Sequence, residues 1–201
     1  MAQATQPKTL LLLHGVRVAA IDDARLIVLT QSGLQMPKRN CFYSFHYIPD
    51  NWRAGTVRSI GAIDGNQPTS DNTWESIKRG GDTAIETWIA DEMFGKSCVV
   101  VLVGTNTAGR KWINHEIVKG WNDGKGVIGI RIHGLKDRDG QVSAIGADPF
   151  DSIGLGNSGQ KLSSIVKCYT PQGMTSQERY DWIATHLANA VEEAINIRNA
   201  N

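Results

Sequence analysis

The sequence predicts a doubly wound α/β domain: an open, mostly parallel sheet with helices on both faces. Three observations predict it. From residue 41 onward, strand-like and helix-like segments alternate, the signature of successive βαβ units. Residues 98–103 (CVVVLV) are apolar without a break, as a central parallel strand covered on both faces must be. Between strands, apolar residues recur at a period of 3.6 and the runs stop at glycines, as amphipathic helices do.

The elements follow in order. Residues 41–47 (CFYSFHY), rich in aromatics, form the first strand. Asp50 stands where it can cap a helix running through Trp52, Val57 and Ile60. Residues 64–81 hold Gly65, Pro68, Gly80 and Gly81 and read as a long loop, a length that often carries function. Asp82 caps the next helix, striped by Ile85, Trp88, Ile89 and Met93 and stopped by Gly95. After the central strand, Thr107 opens a helix that Gly124 ends, and residues 126–132 (GVIGIRI) form the next strand. Residues 137–140 are a turn, and an irregular Gly/Ser-rich stretch runs to about residue 161. A strand over 163–169 precedes a long helix. Thr175 opens that helix with Glu178 three positions on, the capping-box spacing, and its stripe is Ile183, Leu187, Val191 and Ile195.

Residues 1–35 stand apart. They hold no Phe, Trp, Tyr or Cys, and their apolar runs at 10–13 and 26–29 are too short for a membrane span or a signal peptide. Met36 is followed at once by the first good strand. The expectation is a functional domain over 36–201, with 1–35 a dispensable extension or a misassigned start.

Composition narrows the function. Lys+Arg 21 against Asp+Glu 20 gives a net charge of +1, which excludes a general nucleic-acid binder. The N-terminal segment carries Lys8, Arg17 and Arg25 against Asp22 and Asp23, so the remaining domain is neutral by formal count. Three scattered cysteines make no disulfide framework and favour a reducing, cytoplasmic setting. The five histidines show neither the spacing nor the cysteine partners of a zinc site, so no metal is expected. Residues 154–159 (GLGNSG) match the dinucleotide motif by letter, but no buried strand precedes them and no helix follows. A phosphoacceptor reading lacks its aspartates, because Gly104-Thr105-Asn106 follows the central strand.

In open α/β sheets, ligands gather beyond the carboxyl ends of the strands. The helix after the central strand has a core stripe of Ile113, Ile117 and Trp121. Trp112 and Glu116, spaced i,i+4, share a strip rotated about 100° from it and lie at the edge of the core. An indole beside a carboxylate suits a substrate that develops positive charge, such as the oxocarbenium of a breaking glycosidic bond. The same spacing also fits a boundary Trp packed on a solvated Glu.

Those residues resemble the catalytic helix of TIR domains, in which a Trp, three residues and a Glu follow the central strand of enzymes that cleave NAD. Residues 44–47 (SFHY), Asp50 and Arg53, then 104–108 (GTNTA), 111–114 (KWIN) and 133–137 (HGLKD), resemble more specifically the TIR-like proteins of the bacterial Thoeris antiphage system. The likeness covers roughly residues 38–199. It implies a flavodoxin-like TIR fold and an NAD glycohydrolase or cyclase. Glu116 carries over as the catalytic glutamate and Trp112 as the residue beside the nicotinamide end. Phe45 and His46 are candidates for the substrate wall, each also readable as a core or loop residue, and Asn106 and Trp74 complete the set. NAD is then substrate rather than cofactor. The product is a cyclic ADP-ribose-type signal for a separate effector, with no nucleic acid or membrane as partner and a homo-oligomer left open. Two other readings remain: a non-catalytic TIR-like binding module and a nucleoside deoxyribosyltransferase. One geometric difficulty stands, since Glu116 lies about 12 Å along a helix from Ala108 at 1.5 Å per residue.

Overall fold

The computed structural model describes residues 38–201 apart from 67–70 and 157–158, with only the backbone of 71–74, and within 1–37 only four short strands. The chain divides into two compact units, Met1–Pro37 and Lys38–Asn201. In the first, Leu11–Leu13, Val16–Ala20, Leu26–Thr30 and Gly33–Leu34 pair in sequence as an antiparallel sheet.

The second unit carries the parallel sheet. Its strands are β1 (Asn40–Phe45), β2 (Asp64–Gly65), β3 (Cys98–Val103), β4 (Gly126–Arg131) and β5 (Cys168–Tyr169). They run in the order β2-β1-β3-β4-β5 and every pair is parallel. That is the flavodoxin-like order of a doubly wound sheet. Helices α1 (Tyr47–Ser59) and α5 (Ser176–Asn199) pack on one face around Val100, Leu102, Ile128 and Ile130. Helices α3 (Gly81–Met93) and α4 (Lys111–Asn122) pack on the other around Phe42, Val99, Val101 and Val103. Every residue of β3 is fully buried, as its unbroken apolar run requires.

Several boundaries differ from the sequence expectation, each for a physical reason. Helix α1 starts at Tyr47 with His46 as N-cap, so Asp50 lies inside the first turn, buried and ion-paired with Arg53 rather than capping. Helix α4 starts at Lys111, because the Thr107 hydroxyl is already taken by the Gly104 N–H at 2.9 Å. Asp82 does not cap α3, whose N-cap is Gly80; it pairs with Lys111 instead. The expected loop at 64–81 contains β2 and a further helix, α2 (Asp71–Arg79). The last strand shrinks to two residues because Leu162–Ser164 form a 3-10 turn that buries Leu162. The Thr175–Glu178 capping box is present as expected.

Candidate active site

Position comes first. The usual ligand crevice of this topology lies beyond β1 and β3, where the strand order reverses. Here that crevice is filled by protein. The Asp50 carboxylate packs so tightly against Gly104, at the end of β3, that a Cβ there would lie 2.1 Å from it. The loop after β4 closes the rest: the Thr105 hydroxyl donates to the Ala144 carbonyl at 2.5 Å, and Gly146 abuts Gly104. Space opens instead on the outer side of β1. Strand β2 pairs with Asn40 and Cys41, and among the described residues the rest of that edge of β1 has no sheet partner. The Asn66 side chain accepts the next edge donor, the Tyr43 N–H, at 2.8 Å. A cavity of about 870 Å³ lies along this edge, within the roughly 300–1,000 Å³ common for ligand sites.

Glu116 lines that cavity, as does Trp112 one turn before it on α4. Ile113 and Ile117 bury into the sheet face and set the rotation of the helix, which leaves Trp112 and Glu116 half-buried at the stripe's edge. The Glu116 carboxylate accepts a 2.5 Å hydrogen bond from the hydroxyl of Ser44, a fully buried residue of β1. Among the described residues no cation pairs with Glu116. Burial pushes its carboxyl up to about 7, and the Ser44 hydrogen bond pulls the other way. A solvated boundary glutamate would have neither feature. With α4 beginning at Lys111, Glu116 sits about 7.5 Å from the helix start at 1.5 Å per residue. Strand β1 comes to meet it there, and the distance from Ala108 ceases to be an obstacle.

The other expected residues divide. Phe45 and His46 line the cavity. His46 is held below the usual imidazole range, by burial and then by the charge of Arg110, and its buried Nδ1 has no partner among the described residues. It is therefore a neutral ring with an open nitrogen at neutral pH. Asn106 does not join them. It is exposed in the turn after β3, outside the cavity lining, and its carbonyl accepts from the Arg110 side chain at 3.2 Å. The backbone of Trp74 lies in α2, and its side chain lies outside the described residues. Trp88, expected as core, is half-buried against the α3–α4 cluster and also lines the cavity.

Two contributors were not among the candidate site residues, although Ser44 stands in the 44–47 motif. Ser44 offered one signal, a hydroxyl inside an otherwise apolar stretch of strand, but its partner is 72 residues away. Arg58, which lines the cavity from α1, offered none. Among the described residues no three His, Cys, Asp or Glu side chains gather to hold a metal ion, and no helix is long and apolar enough to cross a membrane.

Comparison with known proteins agrees with this architecture. Residues 42–137 match the family model of the Thoeris protein ThsB, TIR-like domain. That segment runs from β1 through α4 and β4 to the turn at Asp137, and so holds Ser44, Trp112 and Glu116. The chain is also similar to ThsB1 of Bacillus cereus (strain MSX-D12), which is named as a candidate cyclic ADP-D-ribose synthase. The two are 34% identical over 124 residues, which is 59% of this chain and 64% of the relative. The chain thus spans less than two thirds of that relative's length. A five-stranded parallel sheet in flavodoxin-like order, with a Trp–Glu pair on the helix after its central strand, is here joined to a family match over residues 42–137: that segment is similar to the TIR-like domain of the Thoeris protein ThsB.

Proposed function

We propose that the protein consumes NAD, cleaving the bond between nicotinamide and ribose and closing the ADP-ribosyl group on itself to give a cyclic ADP-ribose-type signal in antiphage defence. The observation that carries this reading is the half-buried Glu116 carboxylate, which faces an aromatic-lined cavity and has, among the described residues, a hydroxyl but no cation as partner. NAD supplies the missing positive charge twice, first as the pyridinium ring and then as the oxocarbenium ribose. The ThsB1 name, cyclic ADP-D-ribose synthase, fits the same product class.

In the proposed reaction the flat face of Trp112 lies along the nicotinamide end and the ionised Glu116 faces the ribose. As the C–N bond lengthens, positive charge moves from the ring onto the sugar. A carboxylate set beside that charge in a dry site contributes about 10²–10³ in rate, the magnitude of one well-placed electrostatic contact. Nicotinamide leaves as a neutral molecule, so no strong general acid is needed. Excluding water favours capture of the ribosyl cation by a nucleophile of the same molecule, an adenine nitrogen or a ribose hydroxyl. The product then diffuses to a separate effector.

The test is incubation of the full chain with NAD, alone and with lysate of phage-infected cells, with products identified by mass spectrometry. Nicotinamide and a cyclic nucleotide in equal amounts are expected. Intact NAD under both conditions would contradict the reading.

A further inference from the structure

We propose that Arg58 is an anion-binding residue of this cavity and takes the diphosphate of an extended dinucleotide whose reacting ribose lies at Glu116. The inference rests on the NAD reading and adds the residue that would recognise a dinucleotide rather than a nucleoside.

The shape of the cavity is the first ground. Tyr47 and Arg58 both line it, and both belong to α1. Eleven residues apart at 1.5 Å per residue, they are separated by about 16 Å along the helix axis. Glu116 and Trp112 reach the cavity from α4, on the opposite face of the sheet, round the bare edge of β1. A space that is long and bends round a strand edge suits a ligand of several linked groups.

The cations are the second ground. Arg58, Lys78, Arg110 and Lys111 line the cavity. Lys78 is ion-paired with Glu75 at 2.5 Å, and Lys111 is paired with Asp82. Arg110 is exposed, its charge solvated. Arg58 differs from all three. It is half-buried, and among the described residues no carboxylate lies within ion-pair distance of it. Among the described residues its guanidinium is held by a hydrogen bond of 2.6 Å to the Asn66 carbonyl and by the Tyr43 ring, whose centroid is 5.9 Å away. Burial holds its pKa below the usual guanidinium range. A cation withdrawn from water without a counter-ion is unfavourable unless an anion meets it. The planar guanidinium fork matches phosphate oxygens in pairs, and among the described residues only its bond to the Asn66 carbonyl commits a donor.

Isothermal titration of ADP-ribose, which carries the diphosphate but no bond to cleave, tests the proposal on the full chain. Arg58→Gln is expected to weaken binding about ten- to a hundred-fold, the loss of one hydrogen-bonded charge contact. Arg58→Lys is expected to recover part of that loss, and an unchanged melting temperature for both variants would exclude a folding defect. With NAD as substrate, Arg58→Gln should raise KM and largely spare kcat, because the diphosphate is bound equally before and during reaction. Equal ADP-ribose affinity in wild type and Arg58→Gln would overturn the proposal and leave NAD cleavage at Glu116 standing. Failure of the wild type to bind ADP-ribose would overturn both.

Discussion

Two acids sit near the carboxyl end of the sheet, Asp50 buried and Glu116 half-buried, and their surroundings are opposite. Asp50 is enclosed with Arg53, 3.5 Å away, and Arg53 also reaches Asp137 at 3.2 Å and the carbonyls of Pro49, Leu135 and Gln141. This network spans α1 and the turn after β4, and the Asp50 carboxylate fills the crevice at Gly104. Glu116 has one hydroxyl for company and a cavity in front of it. Burial raises the pKa of both carboxyls, but only Asp50 has a cation beside it to offset the effect. A buried charge with its counter-ion already in place is structural. A buried charge that lacks one and faces open space is built for a ligand that brings it.

The contrast can be broken from either side. The largest expected effect is on stability, at Arg53. Arg53→Met removes the cation and strands the Asp50 carboxylate, which costs about 3–5 kcal/mol for a buried pair. The melting temperature should fall by roughly 6–20 °C for a chain of this size. A drop under about 2 °C in thermal unfolding would show that the network is not structural.

On the Glu116 side the next effect is on pH dependence. With its carboxyl at about 7, kcat/KM for NAD should rise through neutrality as the ionised form is populated. Ser44→Ala removes the hydrogen bond that favours the ionised carboxylate, so the midpoint should move to higher pH. A midpoint that stays in place would remove Ser44 from the positioning of the charge.

The smallest effect is again on stability, and it comes from the charge on Glu116. The folded pKa of Glu116 lies above its ordinary value of 4.5. In the window between about 4.5 and 7 the native state therefore binds more protons than the unfolded one, and stability falls as pH rises. Glu116→Gln removes that penalty. It should raise the melting temperature at pH 8 by about 2–4 °C, the equivalent of roughly 1 kcal/mol, and leave it unchanged at pH 4. A variant less stable than wild type at pH 8 would show that the carboxylate is held for the fold.

What the sequence made legible follows the range of the interactions. The β3 run, the α5 capping box and the Ile113–Ile117 stripe are local patterns, and all three stand in the structure. The position of Trp112 and Glu116 at the edge of that stripe was readable for the same reason. Helix starts at His46 and Arg110 were not, because neither residue makes a side-chain cap and the polar candidates, Asp50 and Thr107, are engaged elsewhere. The separation of Asn106 from the cavity lining has the same origin. Nothing near it in the chain announces that Asp50 and the 144–146 segment would close the crevice and move the cavity to the outer edge of β1. Ser44 belongs to the site only through folding, since Glu116 lies 72 residues away, and nothing local to Arg58 marks it as lining the cavity.

The most direct measurement is the rate of nicotinamide release from saturating NAD by wild type and Glu116→Gln, under conditions in which the wild type turns over. Gln keeps the size of the side chain and an oxygen for the Ser44 hydroxyl, and loses only the charge. A fall of about 10²–10³ in kcat with the fold intact is the predicted result. Equal rates would contradict the account and remove Glu116 from the chemistry.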